Sequence, residues 1–292
     1  MRHIYRFGDF SADSAGTVPE EQYGRCLELC GRNIANMESE LCSVIMPAYN
    51  SEKYIAKAIE SVLSQTYENI ELLIVDDCST DRTRDVIHRY ATLDSRIRLI
   101  SNEHNIGCAE SRNRAIADSK GDYIAFLDSD DVWELEKIAL QIQTIKHMSC
   151  DAVYTSYKMI DSIDRQISII KSPPKVLLGD MLKNNEICFS SVLMKSEVAK
   201  QYKMIADYFH EDYCYWICLL REDIQFVGVP DVLVKYRVSN QGRSANKYNA
   251  AVYRWKIYRE YLGMNYIKSC MYFLMYMFHG ILKHYFSRGK YD

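Results

Sequence analysis

Four short apolar segments recur between residues 41 and 127, and each is separated from the next by a stretch of helical character. The segments at 41–46, 71–75, 97–100 and 123–127 have the length of buried strands. Between the first two, apolar residues recur at helical spacing: Tyr54, Ile55, Ala58, Ile59, Val62 and Leu63. Strands that alternate with helices in this way predict an α/β fold, a mostly parallel sheet with helices on both faces.

Acidic or polar residues follow three of these four strands. Asp76 and Asp77 come directly after the second strand, and Asp128 and Asp130 come after the fourth. Open α/β sheets bind their ligands beyond the carboxyl ends of the strands. The sequence therefore predicts a binding site at this edge of the sheet.

Asp128 and Asp130 lie two residues apart, where an extended chain would point them to opposite faces. A turn at Ser129 would instead direct both carboxylates toward one point. A hard divalent cation such as Mg²⁺ prefers oxygen ligands, and with only two protein carboxylates bound it keeps coordination positions open for phosphate oxygens. The alternative is a solvated, acidic turn that caps a helix beginning near Trp133.

The glycine-rich phosphate loops of common nucleotide-binding folds are absent from this sequence. No G-x-G-x-x-G follows the first strand and no G-x-x-x-x-G-K-[ST] occurs, which disfavours an NAD-type protein. A bound nucleotide would then need a carboxylate-held metal for its phosphates and side chains for its base. Asp76 and Asp77 offer acceptors for a base N–H, and Tyr49 offers a stacking surface. The alternative for the two aspartates is turn chemistry before Ser79.

Composition narrows the class of protein further. The chain has 292 residues and a net charge of −3, which argues against a nucleic-acid partner. The ten cysteines include no C-x-x-C pair, and the N-terminus lacks the apolar region of a secretory signal. We therefore expect reduced thiols and a cytoplasmic protein. Residues 1–40 show no strong periodicity beyond a short predicted helix at 20–37, and we treat them as an extension of unknown role.

Six segments of the sequence, in order, resemble the family 2 glycosyltransferases of the GT-A fold. They are VIMPAYN at 44–50, SVLSQTY at 61–67, ELLIVDDCSTD at 71–81, NIG at 105–107, SRN at 111–113 and FLDSDD at 126–131. The resemblance is strong from 43 to about 150 and weaker to about 237. Cys78 departs from the glycine or small residue that is usual at its position.

The resemblance implies an inverting transfer of a sugar from a nucleotide diphosphate donor, usually a uridine one. By this resemblance Tyr49 and Asp77 hold the base. Asp128 and Asp130 form the D-x-D motif that binds the diphosphate and a divalent metal, Mn²⁺ or Mg²⁺. The donor pocket is lined by a further set: Glu52, Arg112 and Asn113.

The second half of the chain is expected to supply the acceptor side. We predict strands at 152–156, 167–170, 189–194, 224–229 and 232–236, and a short helix that ends near Asn184. Glu211 and Asp212 open an aromatic-rich helix, where the resemblance makes Asp212 the general base. The alternative for this acidic pair is stabilisation of the helix dipole. Arg237 and Arg243 are candidates for contact with the diphosphate or acceptor, or are solvated charges.

The C-terminal tail differs in kind from the rest of the chain. Between 246 and 292 eight Lys/Arg stand against two Asp/Glu, a local charge of +6 among many aromatic residues. Residues 269–282 carry no formal charge apart from His279, but this stretch is too short to span a bilayer. It predicts an amphipathic helix at an anionic membrane surface. The alternative is a helix packed on the catalytic domain or in a dimer interface.

These expectations combine into one domain with two appendages: an extension (1–40), a catalytic domain (41–240) and a helical tail (241–292). Within the catalytic domain 41–131 binds the nucleotide sugar and 132–240 the acceptor. The family's polysaccharide synthases carry a Q-x-x-R-W motif, which is absent here, so we expect addition of single sugars. By analogy with the family, the expected acceptor is a lipid-linked glycan at the inner face of the cytoplasmic membrane. The alternatives are a protein or soluble acceptor, or an inactive nucleotide-sugar-binding protein, which retention of Asp128, Asp130 and Asp212 disfavours.

Overall fold

The computed structural model describes residues 40–206, 210–238 and 247–288, and these form one sheet flanked by helices. The strands are β1 (Cys42–Ala48), β2 (Ile70–Asp76), β3 (Ile97–Ser101), β4 (Tyr123–Phe126), β5 (Val132–Trp133), β6 (Ala152–Ile160), β7 (Gln166–Ile170), β8 (Leu193–Lys195) and β9 (Phe226–Arg237). The helices are α1 (Ile55–Leu63), α2 (Thr83–Leu93), α3 (Cys108–Asp118), α4 (Lys137–Met148), α5 (Leu178–Lys183), α6 (Ser196–Gln201), α7 (Glu211–Arg221), α8 (Lys247–Lys256) and α9 (Tyr266–Arg288). The 1–39 part of the extension, its predicted helix at 20–37 and Arg243 lie outside the described residues.

The sheet has a parallel half and a mixed half. Its strand order is β3-β2-β1-β4-β8-β6-β9-β5, with β7 paired to β6. The first four strands run parallel, whereas β8 is antiparallel to both β4 and β6. The predicted α/β fold is thus confirmed, and the parallel strands place their carboxyl ends along one edge.

Alternate residues of the central strands supply two apolar layers, one on each face of the sheet. Ile45 and Leu73 belong to the layer that also contains residues of α3 and α7. Val44 and Leu72 belong to the other layer, with residues of α1 and α4. Strands covered on both faces read as continuous apolar runs, which explains why these were recognisable in the sequence.

The second half differs from the prediction in detail. Trp133 does not start a helix: it pairs with Val234 in the sheet, and α4 begins only at Lys137. The buried indole Nε1 donates a hydrogen bond to the Ser190 carbonyl at 2.8 Å, so tertiary contacts determine its conformation. The two strands predicted at 224–229 and 232–236 form one strand, whose register with β6 shifts where Pro230 interrupts the ladder.

The first part of the tail packs on the sheet-and-helix body. After α8 the chain forms a π-helical turn (Ile257–Tyr261), in which Ile257 and Tyr258 are fully buried. The Tyr258 hydroxyl donates to the Leu182 carbonyl of α5 at 2.6 Å. Among the described residues, no helix has the length and apolar character needed to cross a membrane.

Candidate active site at the carboxyl edge of the sheet

The ends of β1 and β2 form the floor of the predicted nucleotide site. Asp77 N–H donates to the Ala48 carbonyl at 2.8 Å, which holds the two strand ends together. Tyr49 follows directly and is 50% exposed, so its ring is available for stacking. Cys78 adopts a φ of +64°, a conformation that glycine adopts more easily, which accounts for the residue usual at this position.

The Asp77 carboxylate organises the loop that leads into α3. Its Oδ1 accepts hydrogen bonds from Asn102 Nδ2 and Ile106 N, both at 2.8 Å, and its Oδ2 accepts one from Gly107 N at 2.8 Å. Gly107 has a φ of +86°, so the turn favours glycine there. Asp77 therefore shapes the edge of the site, and its contact with a base stays a prediction.

Asp76 and Glu52 take different positions around this floor. The Asp76 side chain is fully buried and accepts two hydrogen bonds from Arg84, at 2.6 and 2.9 Å. The half-exposed Arg84 thus occupies Asp76 Oδ2, and the contact of Asp76 with a nucleotide stays a prediction. Glu52 is exposed and accepts a hydrogen bond from Arg82 N at 3.0 Å, so it links the loops after β1 and β2.

The predicted turn at Ser129 is present. Asp131 N–H donates to the Asp128 carbonyl at 3.1 Å and closes the turn. The buried Ser129 hydroxyl lies 2.7 Å from the Ser51 hydroxyl, which fixes the turn to the loop after β1. Asp128 and Asp130 remain half-buried on either side of this anchor.

Arg112 joins the carboxylates after β4 to the first turn of α7. Its Nη2 donates to Asp128 Oδ1 at 2.5 Å, and its Nη1 lies 3.5 Å from Glu211 Oε1. The guanidinium also stacks on Phe189, 3.8 Å from the ring centre. Burial works to lower the pKa of Arg112, but the negative charges around it, including those of Asp128 and Glu211, raise it overall. The arginine is therefore a permanent cation between two carboxylates that lie far apart in sequence.

Asn113, next in the chain, faces a different partner. Its Nδ2 donates to the Met204 carbonyl at 2.8 Å and its Oδ1 accepts from Met204 N at 2.9 Å. Both ends of the amide are thus used to hold the backbone at 204. The place of Asn113 in the donor pocket stays a prediction.

The two acids of α7 differ in their surroundings. Glu211 is 5% exposed and faces Arg112, so its orientation is fixed by an ion pair. Asp212 is half-buried, and its Oδ2 accepts a hydrogen bond from Asn185 Nδ2 at 3.2 Å. Of the pair, Asp212 is the one whose carboxylate combines an orienting partner with access to solvent.

The carboxylates after β4 create a local excess of negative charge. Burial, and then the charge of Asp128, raise the pKa of Asp130 to about 6. The buried Asp131 accepts from the Ser190 hydroxyl at 2.5 Å and from Arg237 N at 2.8 Å, and burial raises its pKa well above its usual range. A divalent cation would relieve this repulsion.

The donor set of Asp128 and Asp130 fits such a cation. The described residues contain no cluster of three or more acidic, histidine or cysteine side chains around one point. Magnesium-type sites on nucleotide enzymes commonly use one or two carboxylates and complete the shell with phosphate oxygens and water. Two half-buried carboxylates at a strand end match that requirement.

Arg237 has a structural role in the described part of the chain. Its Nε donates to the Asp130 carbonyl at 2.8 Å and its Nη2 lies 2.7 Å from Asp164 Oδ1, while its side chain is 2% exposed. This burial contradicts the interpretation of Arg237 as a solvated charge, whereas a contact with the diphosphate or acceptor stays a prediction. Arg237 stabilises the turn that carries Asp130 through its hydrogen bond to the backbone of that turn.

Three residues that position the acids carry no sequence signal of their own. Ser190 contacts both Asp131 and the Asp128 N–H, and Asn185 contacts Asp212. Asn102 holds Asp77 from the end of β3. Each is a common polar residue whose importance depends on a partner at least 25 positions away in the chain.

The chain resembles known proteins across most of its length. The profile of the family described as Glycosyl transferase family 2 matches residues 43–202. The TuaG protein of Bacillus subtilis, a putative teichuronic acid biosynthesis glycosyltransferase, is 35% identical over 83% of this chain and 97% of its own. Escherichia coli WfgD, a UDP-Glc:α-D-GlcNAc-diphosphoundecaprenol β-1,3-glucosyltransferase, is 34% identical over 86% of this chain and 98% of its own.

Solved structures share the fold. S. aureus TarS in complex with UDP-GlcNAc superposes with a TM-score of 0.60, at 19% identity, over 81% of this chain and 71% of that one. The mannosyltransferase PcManGT of Pyrobaculum calidifontis, in complex with GDP-Man and Mn²⁺, superposes with a TM-score of 0.61 at 15% identity. The superposition covers 84% of this chain and 72% of that one. At these identities the likeness concerns the fold alone. With the family profile and the relatives above, it leads to one conclusion: the chain is a glycosyltransferase and belongs to glycosyl transferase family 2.

Proposed function

We propose that this enzyme moves one sugar, with inversion, from a UDP-sugar to a hydroxyl of a lipid-linked glycan during surface polysaccharide synthesis. The observation that carries the proposal is the Arg112 bridge. Because Arg112 contacts Asp128 at 2.5 Å and faces Glu211 at 3.5 Å, the donor-side carboxylates and the first turn of α7 border one site. A site with acids on both sides suits a transfer between two bound substrates.

The donor side is arranged for a nucleoside diphosphate. The half-exposed ring of Tyr49 offers a face for the base, and the loop held by Asp77 forms the wall beside it. Asp128 and Asp130 are the residues that would hold a divalent cation against the diphosphate. Such a cation, when bound, stabilises the negative charge of the leaving diphosphate.

The acceptor side supplies the base. A sugar hydroxyl is a weak nucleophile at neutral pH, so a carboxylate that takes its proton speeds the displacement. Asp212 has the required access and is oriented by Asn185. Glu211, held by Arg112, fixes the start of α7 rather than taking the proton. Direct displacement at the anomeric carbon inverts its configuration, so an α-linked donor gives a β-linked product.

The substrate classes are supported by the relatives. WfgD and WfaP of Escherichia coli, at 34% and 37% identity, are named as UDP-Glc transferases that form β-1,3 links on α-D-GlcNAc-diphosphoundecaprenol. This supports a UDP donor and a lipid-linked acceptor here. It leaves the transferred sugar to experiment.

A donor screen tests the proposal. Purified enzyme is incubated with a panel of nucleotide sugars, Mn²⁺ or Mg²⁺, and a GlcNAc-diphospholipid acceptor, and release of each nucleotide is measured. We expect acceptor-dependent release of UDP and a β-linked product by NMR. Acceptor-dependent release of another nucleotide, or transfer only to a protein or free sugar, would contradict the proposed substrates.

A further inference from the structure

Helix α9 (Tyr266–Arg288) presents apolar residues on two opposite sides. On one side Tyr272 and Phe273 pack against the core beneath the sheet. On the other side an exposed row at helical spacing consists of Ile267, Met271 and Leu274, which are 81%, 43% and 68% exposed. A helix that is apolar all round is normally covered on every side. The exposed row is therefore a surface that calls for an apolar partner.

The charge around this row selects the kind of partner. The segment from 246 to 292 carries a net +6, whereas the rest of the chain carries −9. Lys268 lies exposed next to Ile267 at the start of α9. An anionic lipid surface complements an apolar row that has an exposed lysine beside it in a basic tail. A symmetric contact between two copies would instead bring two positive tails together, which like charges oppose.

The position of α9 relates this surface to the acceptor side of the site. Helix α9 packs along α5 (Leu178–Lys183), and Asn185, two residues beyond α5, contacts Asp212. A second connection runs through Arg254 of α8, which is buried between two rings. Its guanidinium carbon lies 3.4 Å from the ring centre of Tyr213, the neighbour of Asp212, and 4.6 Å from that of Tyr276 in α9. The exposed row is thus fixed to the helix that carries Asp212.

We propose that Ile267, Met271 and Leu274 insert into the headgroup boundary of an anionic membrane and thereby hold the acceptor side of the site at the lipid surface. This rests on the proposed lipid-linked acceptor. The positively charged tail is attracted to the anionic membrane. The rest of the chain is negatively charged and is repelled, so orientations that turn it toward the membrane are disfavoured. The substrate then meets Asp212 without leaving the bilayer.

The test compares two double variants of the full chain. Ile267→Gln/Leu274→Gln removes the apolar row. The control Leu93→Gln/Ile163→Gln alters side chains that are 79% and 66% exposed elsewhere. Each protein is measured for sedimentation with phosphatidylglycerol-containing vesicles, oligomeric state in solution, and transfer to two acceptors. One acceptor has a long lipid chain and is held in the vesicles, and the other carries the same sugar diphosphate on a short alkyl chain.

We expect the row variant to lose vesicle partition by about tenfold or more, given the apolar groups removed. Transfer to the vesicle-held acceptor should fall with it, while transfer to the short-chain acceptor stays the same, and the control variant should match wild type. High salt should weaken the wild-type partition. If the double variant does not fold, Leu274→Gln alone is used and should show a smaller loss in the same direction.

Unchanged partition of a folded row variant would overturn the proposal. So would a wild-type dimer that the row variant dissociates and that does not bind vesicles, since the row would then be an interface between copies. If the proposed function itself is wrong, the result is different: no nucleotide is released with either acceptor, whether or not the protein binds the vesicles.

Discussion

At the scale of single residues, Arg112 is the group on which the site depends most. Its side chain is 4% exposed and it stands between Asp128 and the Glu211 side chain, which is 6% exposed. Removing one partner from a buried ionic cluster leaves charge without compensation, which costs about 3–5 kcal/mol. Arg112 thus affects both stability and the alignment of the two halves.

We expect Arg112→Met to lower the free energy of unfolding by roughly that amount and to reduce transfer at least about a hundredfold. Arg112→Lys should be intermediate, because an ammonium keeps the charge but lacks the planar fork with which the guanidinium reaches both carboxylates and stacks on Phe189. Urea unfolding and transfer kinetics measure both effects. Arg98→Lys, on a more exposed arginine, is the control and should change little. A stable, active Arg112→Met enzyme would show that the bridge is dispensable.

Asp130 is expected to act through a cation. Asp130→Asn should weaken binding of a UDP-sugar in Mn²⁺ by about tenfold or more and leave binding in excess chelator unchanged, because it removes a metal ligand and not a contact to the sugar. Calorimetric titration with and without metal measures this. Wild-type enzyme should lose transfer in chelator and regain it with Mn²⁺ or Mg²⁺. Full turnover in excess chelator would show that transfer does not require a divalent cation.

Lys137 gives a pH-dependent signal in stability. It is fully buried, with Nζ 2.7 Å from Gln141 Oε1 and 3.9 Å from the Trp133 ring centre, and burial lowers its pKa to about 7 despite the nearby Cys42 and Cys188 thiols. The unfolded chain keeps this proton up to a pKa of about 10.4. Between these values the unfolded state binds more protons, so stability rises with pH.

Between pH 6 and pH 9 the free energy of unfolding of the wild type should therefore rise relative to that of Lys137→Met by about 2–3 kcal/mol. Urea unfolding of both proteins across this range is the measurement. Lys53→Met, on an exposed lysine, is the control. A difference between wild type and Lys137→Met that does not change with pH would mean that the buried amine does not titrate in this range.

At the scale of elements, the loop from β3 to α3 is held by one carboxylate. Asp77 receives hydrogen bonds from Ile106 N and Gly107 N across 29 and 30 positions of sequence. The position of this loop at the proposed nucleotide site therefore depends on the Asp77 carboxylate. Helix α7 shows the same dependence, since its first turn is held by Arg112 of α3.

We expect Asp77→Asn to place an amide donor against a backbone N–H and to cost about 1–3 kcal/mol of stability. Because the loop lies at the proposed donor site, the Kd for UDP should rise as well. Thermal unfolding and UDP titration measure the two effects. Asp118→Asn, on an exposed aspartate at the end of α3, should show neither. Loss of UDP affinity without loss of stability would indicate a direct base contact instead.

At the scale of the whole molecule, the parallel half was predictable and the mixed half was less so. Strands β1 and β2 are buried on both faces, and such strands consist of continuous apolar runs that can be recognised in the sequence. The helix start near Trp133 and the division of 224–236 into two strands differ from the structure, because the conformation there depends on pairing with distant strands, β9 and β6. Local pattern carries no information about such pairings.

The same division applies to the site. The D-x-D turn and the acids of α7 follow recognisable local patterns, and the structure brings both to one edge. The Arg112 bridge joins residues almost one hundred positions apart, and Asn185 reaches Asp212 across 27. Asp76 pairs with Arg84, and Asn113 bonds to the Met204 backbone; no sequence pattern indicated either partner.

The central claim is that Asp212 removes the acceptor proton in a single displacement, and the kinetics of Asp212→Asn test it most directly. Transfer and UDP affinity are measured for Asp212→Asn and Glu211→Gln, and the product configuration is read by NMR. A positioned base contributes roughly 10²–10⁴ in rate, so Asp212→Asn should lose transfer by about that factor with UDP affinity unchanged. Glu211→Gln should lose less, and the wild-type product should be β-linked from an α-linked donor. Near wild-type transfer by Asp212→Asn, or a product that retains the donor's configuration, would contradict the account.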